Sequence, residues 1–115
     1  MANTFKVVTK AGVTSADNIY TVASSTTTVV LGIMLGNTTT SQVTATVTLS
    51  SNTSNRAGAN NEANQDVELV TNAPIPAGSS LELLSGNKIV METTDILKLT
   101  ASGNTDIALS IMEIT

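Results

Sequence analysis

Glu62, Asp66 and Glu68 are the densest acidic cluster in this chain of 115 residues, and several Asn side chains lie beside them. Carboxylate and amide oxygens are the ligands that a hard cation such as calcium takes, so metal binding is the first chemistry to weigh. The alternating acidic series of a calcium loop is missing, however. Three acids near a loop end serve as well to keep the loop in water and to mark the start of a strand. That is the simpler reading, and no metal or other cofactor is expected. The remaining inventory is thinner still. With no His and no Cys, the commonest general base, the thiol nucleophile and the usual zinc ligands are missing. Ser and Thr abound, but a hydroxyl nucleophile needs a base beside it. No nucleophile elbow, phosphate loop, EF-hand loop or H-E-x-x-H helix is present. Catalysis is not expected. Asp95 and Asp106 open strands and read as turn residues. Asn37 and Asn52 match the glycosylation sequon, as a chain this rich in Asn, Ser and Thr does by chance.

Two stretches suggest contact with other proteins instead. "SNTSNRAGANNEANQD", residues 51–66, has no large apolar side chain, and so long a connection in a small domain is usually functional or disordered. Its Asn side chains offer adaptable hydrogen bonds and Arg56 a two-pronged grip on a carboxylate. Partner contacts are therefore expected from Asn55, Arg56, Asn60, Asn61 and Glu62. The second stretch is "VVLGIMLG", residues 29–36. Val29, Leu31, Ile33 and Leu35 are expected to make its core face, while Val30, Gly32, Met34 and Gly36 lie on a face that is also non-polar but small, with one Met. A strand apolar on both sides is covered twice, by its own chain or by a partner. Gly32, Met34 and Gly36 complete the expected contact set.

The composition agrees with such a role. Charged residues are 12% of the chain and aromatics 2%, with Phe5 and Tyr20 the whole aromatic supply. The core must be aliphatic, and both aromatics sit in strand patterns expected to be buried. A surface of neutral hydroxyls and amides suits a protein packed against neighbours, and it suits an extracellular surface equally. The net charge of −4 and five scattered cations are not the basic stripe of a nucleic-acid binder. "MANTFKVVTK" lacks the apolar core of a signal peptide, and residues 29–36 are too few to span a bilayer. No nucleic acid and no membrane partner is expected.

Strand signals fill the chain. Residues 4–9, 18–22, 26–36, 43–50, 67–71, 80–84, 88–92, 96–101 and 107–114 are rich in β-branched side chains and bounded by Gly, Asn, Pro, Ser or Asp. Val43, Ala45, Val47 and Leu49 alternate with Thr44, Thr46 and Thr48; Leu97, Leu99 and Ala101 with Lys98 and Thr100; Ile107, Leu109 and Ile111 with Ala108 and Ser110. Period two places each apolar set on one face. No helical period runs for three turns. The chain reads as all-β: one domain over residues 1–115, a two-sheet β-sandwich or jelly roll of eight or nine short strands, with a small closed barrel as the alternative. "SGN" at 85–87 is expected to be a tight hairpin turn and "SGNTD" at 102–106 a longer one. "NAPIPAGSS" at 72–80 reads as a crossover, since its prolines cannot feed a central ladder.

"IYTVASSTTTVVLGIMLGN" (19–37), "PAGSSL" (Pro76–Leu81), "TDIL" (Thr94–Leu97) and "MEI" (Met112–Ile114) together resemble small β-rich virion structural proteins of tailed bacteriophages, especially cyanophages. The resemblance is a pattern of strands and turns over nearly the whole chain. Ala23 stands where the family often has Pro, and Thr94 where Gly commonly precedes the Asp. The resemblance implies a structural role in the virion, assembled in the host cytoplasm. A capsid decoration or cement protein is expected, pairing with other copies of itself as a trimer and with the major capsid protein or another virion protein. The 51–66 loop would be the arm that reaches the neighbour. A tail, neck or fibre component is the alternative. A carbohydrate-binding module ranks lower, because its aromatic platform would have to come from Tyr20 or Phe5.

Overall fold

Alternating β-branched residues and frequent breakers produce nine strands: β1 (Asn3–Val13), β2 (Ala16–Thr21), β3 (Thr27–Asn37), β4 (Val43–Ser51), β5 (Gln65–Ile75), β6 (Ser80–Leu83), β7 (Ile89–Met91), β8 (Ile96–Ala101) and β9 (Thr105–Ile114). The computed structural model describes residues 2–52, 65–84 and 86–115. The first sheet runs β1-β9-β3-β6, with β7 also on β3, and the second runs β2-β8-β4-β5. Every pairing is antiparallel. First pairs with last, second with eighth, third with sixth and fourth with fifth. That is a long antiparallel ribbon wound on itself, the jelly roll. Among the described residues no helix is long and apolar enough to cross a membrane.

The core lies between the sheets and is aliphatic. Val43, Ala45 and Val47, Leu97, Leu99 and Ala101, and Ile107, Leu109 and Ile111 are all buried, on the faces that their alternation selects. Each such Val, Leu or Ile contributes roughly 1.5–3 kcal/mol by leaving water. β3 departs from its expected phase. Its register against β9 shifts between Val30 and Gly32, so Thr28 and Val30 are buried before the bulge and Ile33 and Leu35 after it. Val29 and Leu31 are not on the core face, and Val30, expected on the opposite face, is. The extra residue of a bulge reverses which alternate positions point inward.

Two connections also differ from expectation. Ser85 lies outside the described residues, and no hairpin joins β6 to β7: both pair with β3, at Ile33–Gly36 and Thr28–Val30. They are successive pieces of one edge, and the chain leaves the edge at Leu84 and rejoins it at Ile89. Residues 102–106 carry the chain from β8 in the second sheet to β9 in the first, so they form a corner between layers. The 72–80 segment does cross between sheets. Pro74 pairs with Thr44 on the edge strand β5, where its missing N–H costs no ladder bond on the open side.

Asp95 is buried and acts as the turn residue it was read to be. Its carboxylate accepts the backbone N–H groups of Asn52 at 2.8 Å and Glu92 at 3.1 Å. Beside it Thr94 has φ 77°, a left-handed conformation that a β-branched residue resists. The position calls for Gly, as the resemblance suggested. Thr94→Gly is expected to stabilise the fold by about 1 kcal/mol through relief of that strain. The urea midpoint should rise with an unchanged slope.

Candidate functional site

The outward positions of the first sheet form the least ordinary surface of the molecule. Because Ile107, Leu109 and Ile111 of β9 face the core, Asp106, Ala108, Ser110 and Met112 face out. Phe5 pairs with Met112, Met112 with Val29, and Val29 with Val90. This is an apolar row across four strands, β1, β9, β3 and β7. The next row holds Val7, Ser110 and Gly32, and the one after it Thr9, Ala108, Met34 and Glu82. Phe5 is 72% exposed, Val7 67%, Val90 60% and Met34 48%. Side chains of this size and exposure, gathered on one face, form the kind of apolar patch that protein contacts use. The opposite side of the sandwich contrasts with it. There Thr46 pairs with Thr100, Thr48 with Lys98 and Glu68, and Asn18 with Lys98. One outer face is apolar and the other polar.

Gly32, Met34 and Gly36, expected as partner contacts from the sequence, all lie on the apolar face. Hollows flank Met34 on either side. One of about 370 Å³ is lined by Thr9, Gly36, Ser80, Asp106 and Ala108 among others, and one of about 220 Å³ by Gly32, Glu82, Ala108 and Ser110. Both glycines have ordinary φ, and a Cβ added to either would meet nothing within 4 Å. Gly in a strand costs about 0.5–1 kcal/mol relative to Ala; Gly32 lies beside the β3 bulge, and no contact inside the subunit calls for Gly36.

Phe5 is the main correction. It was expected in the core, and it is the most exposed large apolar side chain of the described residues. β1 is an edge strand, and its inward positions are taken by Lys6, Val8 and Lys10, opposite Ile111, Leu109 and Ile107. Lys6 reaches Glu113 at 2.7 Å and Lys10 reaches Asp17 at 3.1 Å. At a sandwich rim a long cation can lie along the apolar layer and keep its charge in water. Inward-pointing charge on an edge also discourages another strand from adding there. Phe5 and Val7 are left outside.

Tyr20 is half-buried and closes the rim. Its hydroxyl donates to Glu113 Oε2 at 2.6 Å, so the 2.7 Å contact with Thr28 is one in which Thr28 Oγ1 donates. This network joins β2 of one sheet to β3 and β9 of the other, and it exists because the β3 bulge turns Thr28 inward. The Lys6 ammonium, and then the Tyr20 hydroxyl, hold the Glu113 carboxyl below its ordinary value. Burial, followed by the bond to Glu113, pushes Tyr20 up to about 12. The unfolded chain therefore takes up a proton at Glu113 before the folded chain does. That contribution to stability is present above the ordinary carboxylate value of 4.5 and is lost as pH falls through the folded value. Tyr20 acts in the opposite sense: its contribution is present below 10 and is lost between 10 and about 12. Urea titrations across pH should show both limbs, with Glu113→Gln flattening the acid one and Tyr20→Phe the alkaline one.

Asn55, Arg56, Asn60, Asn61 and Glu62 lie outside the described residues. The ends of the 51–66 segment are strand: Ser51 closes β4, and Gln65 and Asp66 open β5. Glu68 hydrogen-bonds to Thr71. Among the described residues no three acidic side chains gather as a metal site would require. The sequon residue Asn37 is 4% exposed and its amide is engaged by backbone.

No protein-family model and no curated protein matches this chain. Among solved structures, a chain of the Bacillus endospore appendages, described as a novel family of disulfide-linked pili, superposes with TM-score 0.48. It shares 15% identity over 99% of this chain and 87% of that one. A chain of the T13 IBDV viral particle gives TM-score 0.27 and 13% identity over 96% of this chain and 35% of that one. Both similarities are too distant to bear on function.

Proposed function

We propose that this chain is a virion structural protein of a tailed bacteriophage, and specifically a capsid decoration or cement protein that works by contact and not by catalysis. The observation that carries the reading is the apolar row Phe5–Met112–Val29–Val90, exposed at Phe5 and Val90 and half-buried between them, with the exposed Met34 nearby. A surface of that kind is costly to leave in water, and a protein assembled into a shell covers it. The jelly roll, a frequent capsid architecture, and the sequence resemblance support the same reading. Many small interfaces repeated over a shell stabilise it by avidity. For a glycan-binding module, Tyr20 is a poor platform because its hydroxyl is already bonded to Glu113 and Thr28. Phe5 is exposed, but its neighbours across the ladder are apolar, without the polar groups that would orient a sugar.

The test is copy number, by quantitative mass spectrometry of purified particles against the major capsid protein. Abundance on the scale of the shell is the expected result. A handful of copies would move the protein to the neck, tail or fibres, and absence from the particle would end the virion reading.

A further inference from the structure

We infer that the apolar face of the first sheet pairs with the same face of a second copy of this chain about a two-fold axis, with Met34 of each copy seated in a glycine hollow of the other. This rests on the face being a contact surface, and it names the occupant. Three observations point to a second copy. Met34 is a 48% exposed knob, and Gly32 and Gly36, two residues to either side on the same face of β3, floor a hollow each. A two-fold operation exchanges knob and hollow, so the face carries its own complement, as an isologous interface must. The smaller hollow, about 220 Å³, is several times the roughly 30 Å³ share of one water in the liquid, room for a methionine side chain.

Size is the second point. Four neighbouring strands about 4.8 Å apart, crossed along the ten residues of β9 at about 3.4 Å each, outline a face of roughly 19 by 34 Å, or about 650 Å² in projection. Side chains add accessible area to that projection. A standard interface takes about 800 Å² from each partner, so the face is large enough by itself.

The third is charge and alternative routes. The centre of the face holds Ala108, Ser110, Thr9 and Met34, without a charge. Glu82 lies on the edge strand β6 and Asp106 near the start of β9, where it accepts the Gly12 N–H at 2.9 Å. Each acid lines one of the two hollows, Glu82 the smaller and Asp106 the larger, so pairing brings both to the margin of the Met34 contact, where Asp106 keeps the Gly12 N–H as its partner. Association by strand addition is blocked at the long edges: β1 by Lys6 and Lys10 pointing inward, and β5 by Pro74 and two register shifts.

The experiment is sedimentation equilibrium of the purified full chain from micromolar to millimolar concentration, beside the double variant Gly32→Val/Gly36→Val and the single variant Met34→Lys. Wild type is expected to dimerise. The double variant is expected to weaken dimerisation on the order of 100-fold, as loss of a central anchor does. It should also melt a few degrees higher, because a Cβ at either site meets nothing in the subunit and valine suits a strand better than glycine. Met34→Lys removes the knob without filling the hollows and should also yield monomer. A wild type that stays monomeric throughout, a trimer, or a double variant that pairs like wild type would each overturn the inference. Incorporation of Met34→Lys into particles separates this from the broader reading. A monomeric wild type whose Met34→Lys form is lost from particles would mean that another virion protein occupies the face. A dimer absent from particles would leave the pairing standing and remove the virion role.

Discussion

Asn37→Ala is expected to destabilise the fold by about 3 kcal/mol, seen as a lower urea midpoint at unchanged slope. Asn37 ends β3, and its side chain is the junction of three segments. Its amide nitrogen donates to the carbonyl oxygens of Ser41 at 2.8 Å, Ile75 at 2.9 Å and Pro76 at 3.2 Å. Its oxygen accepts from the Thr39 N–H at 2.9 Å and the Thr39 hydroxyl at 2.8 Å. An alanine strips those donors from the Ile75 carbonyl, in a bond that is itself buried, and from the turn that leads to β4. A buried group left without its partner costs about 1–3 kcal/mol, and more than one is affected here. Asn37→Asp keeps the shape but replaces a double donor with an acceptor, facing three carbonyl oxygens. It should be at least as damaging above pH 5. If either variant unfolds at the wild-type midpoint, the junction is not what holds the 37–41 turn.

Leu109→Ala should cost about 3–4 kcal/mol by the same measurement. Leu109 sits on β9, between β1 and β3 in the first sheet, and is 0% exposed. Packed between two sheets with few aromatic groups nearby, the site has stiff aliphatic neighbours such as Ile33, and the cavity left by alanine has little to collapse into it. On the other face of the same sheet Phe5→Ser should change stability by no more than about 0.5 kcal/mol, since Phe5 is 72% exposed. The pair separates what the fold needs from what a partner uses. A large loss on Phe5→Ser would mean that the side chain packs within the subunit and that the apolar row serves the fold.

Local pattern made much of this molecule legible. β8 and β9 alternate cleanly, and β4 does so as far as Val47, because the strand period is two wherever the ladder is regular; past Val47, Leu49 is only half-buried and Ser50 and Ser51 are buried. The all-β class and the polar, turn-forming role of Asp95 follow from side-chain type alone. Gly32, Met34 and Gly36 were legible as a second apolar face on one strand. Phe5, Val7, Val29, Val90 and Met112 were not recognised as part of that face. The available signal was the alternation of Phe5 and Val7 with Lys6 and Lys10, and taken alone it points the wrong way.

What the sequence by itself determined is therefore the class of structure, the aliphatic core and the scarcity of reactive groups. Each depends on residue type and on spacing within a strand. The tertiary structure decided which strands are neighbours and which face of an irregular strand turns in. The β3 bulge, visible only against β9, sends Thr28 inward to Tyr20 and Glu113 and Val29 outward to Met112 and Val90. The edge position of β1 lets Lys6 and Lys10 find Glu113 and Asp17, and so exposes Phe5. The pairing of β6 and β7 with one strand makes an edge of a segment that locally reads as a hairpin. In each case the deciding contact is with a residue far along the chain, and a one-residue shift in pairing reverses every side chain beyond it.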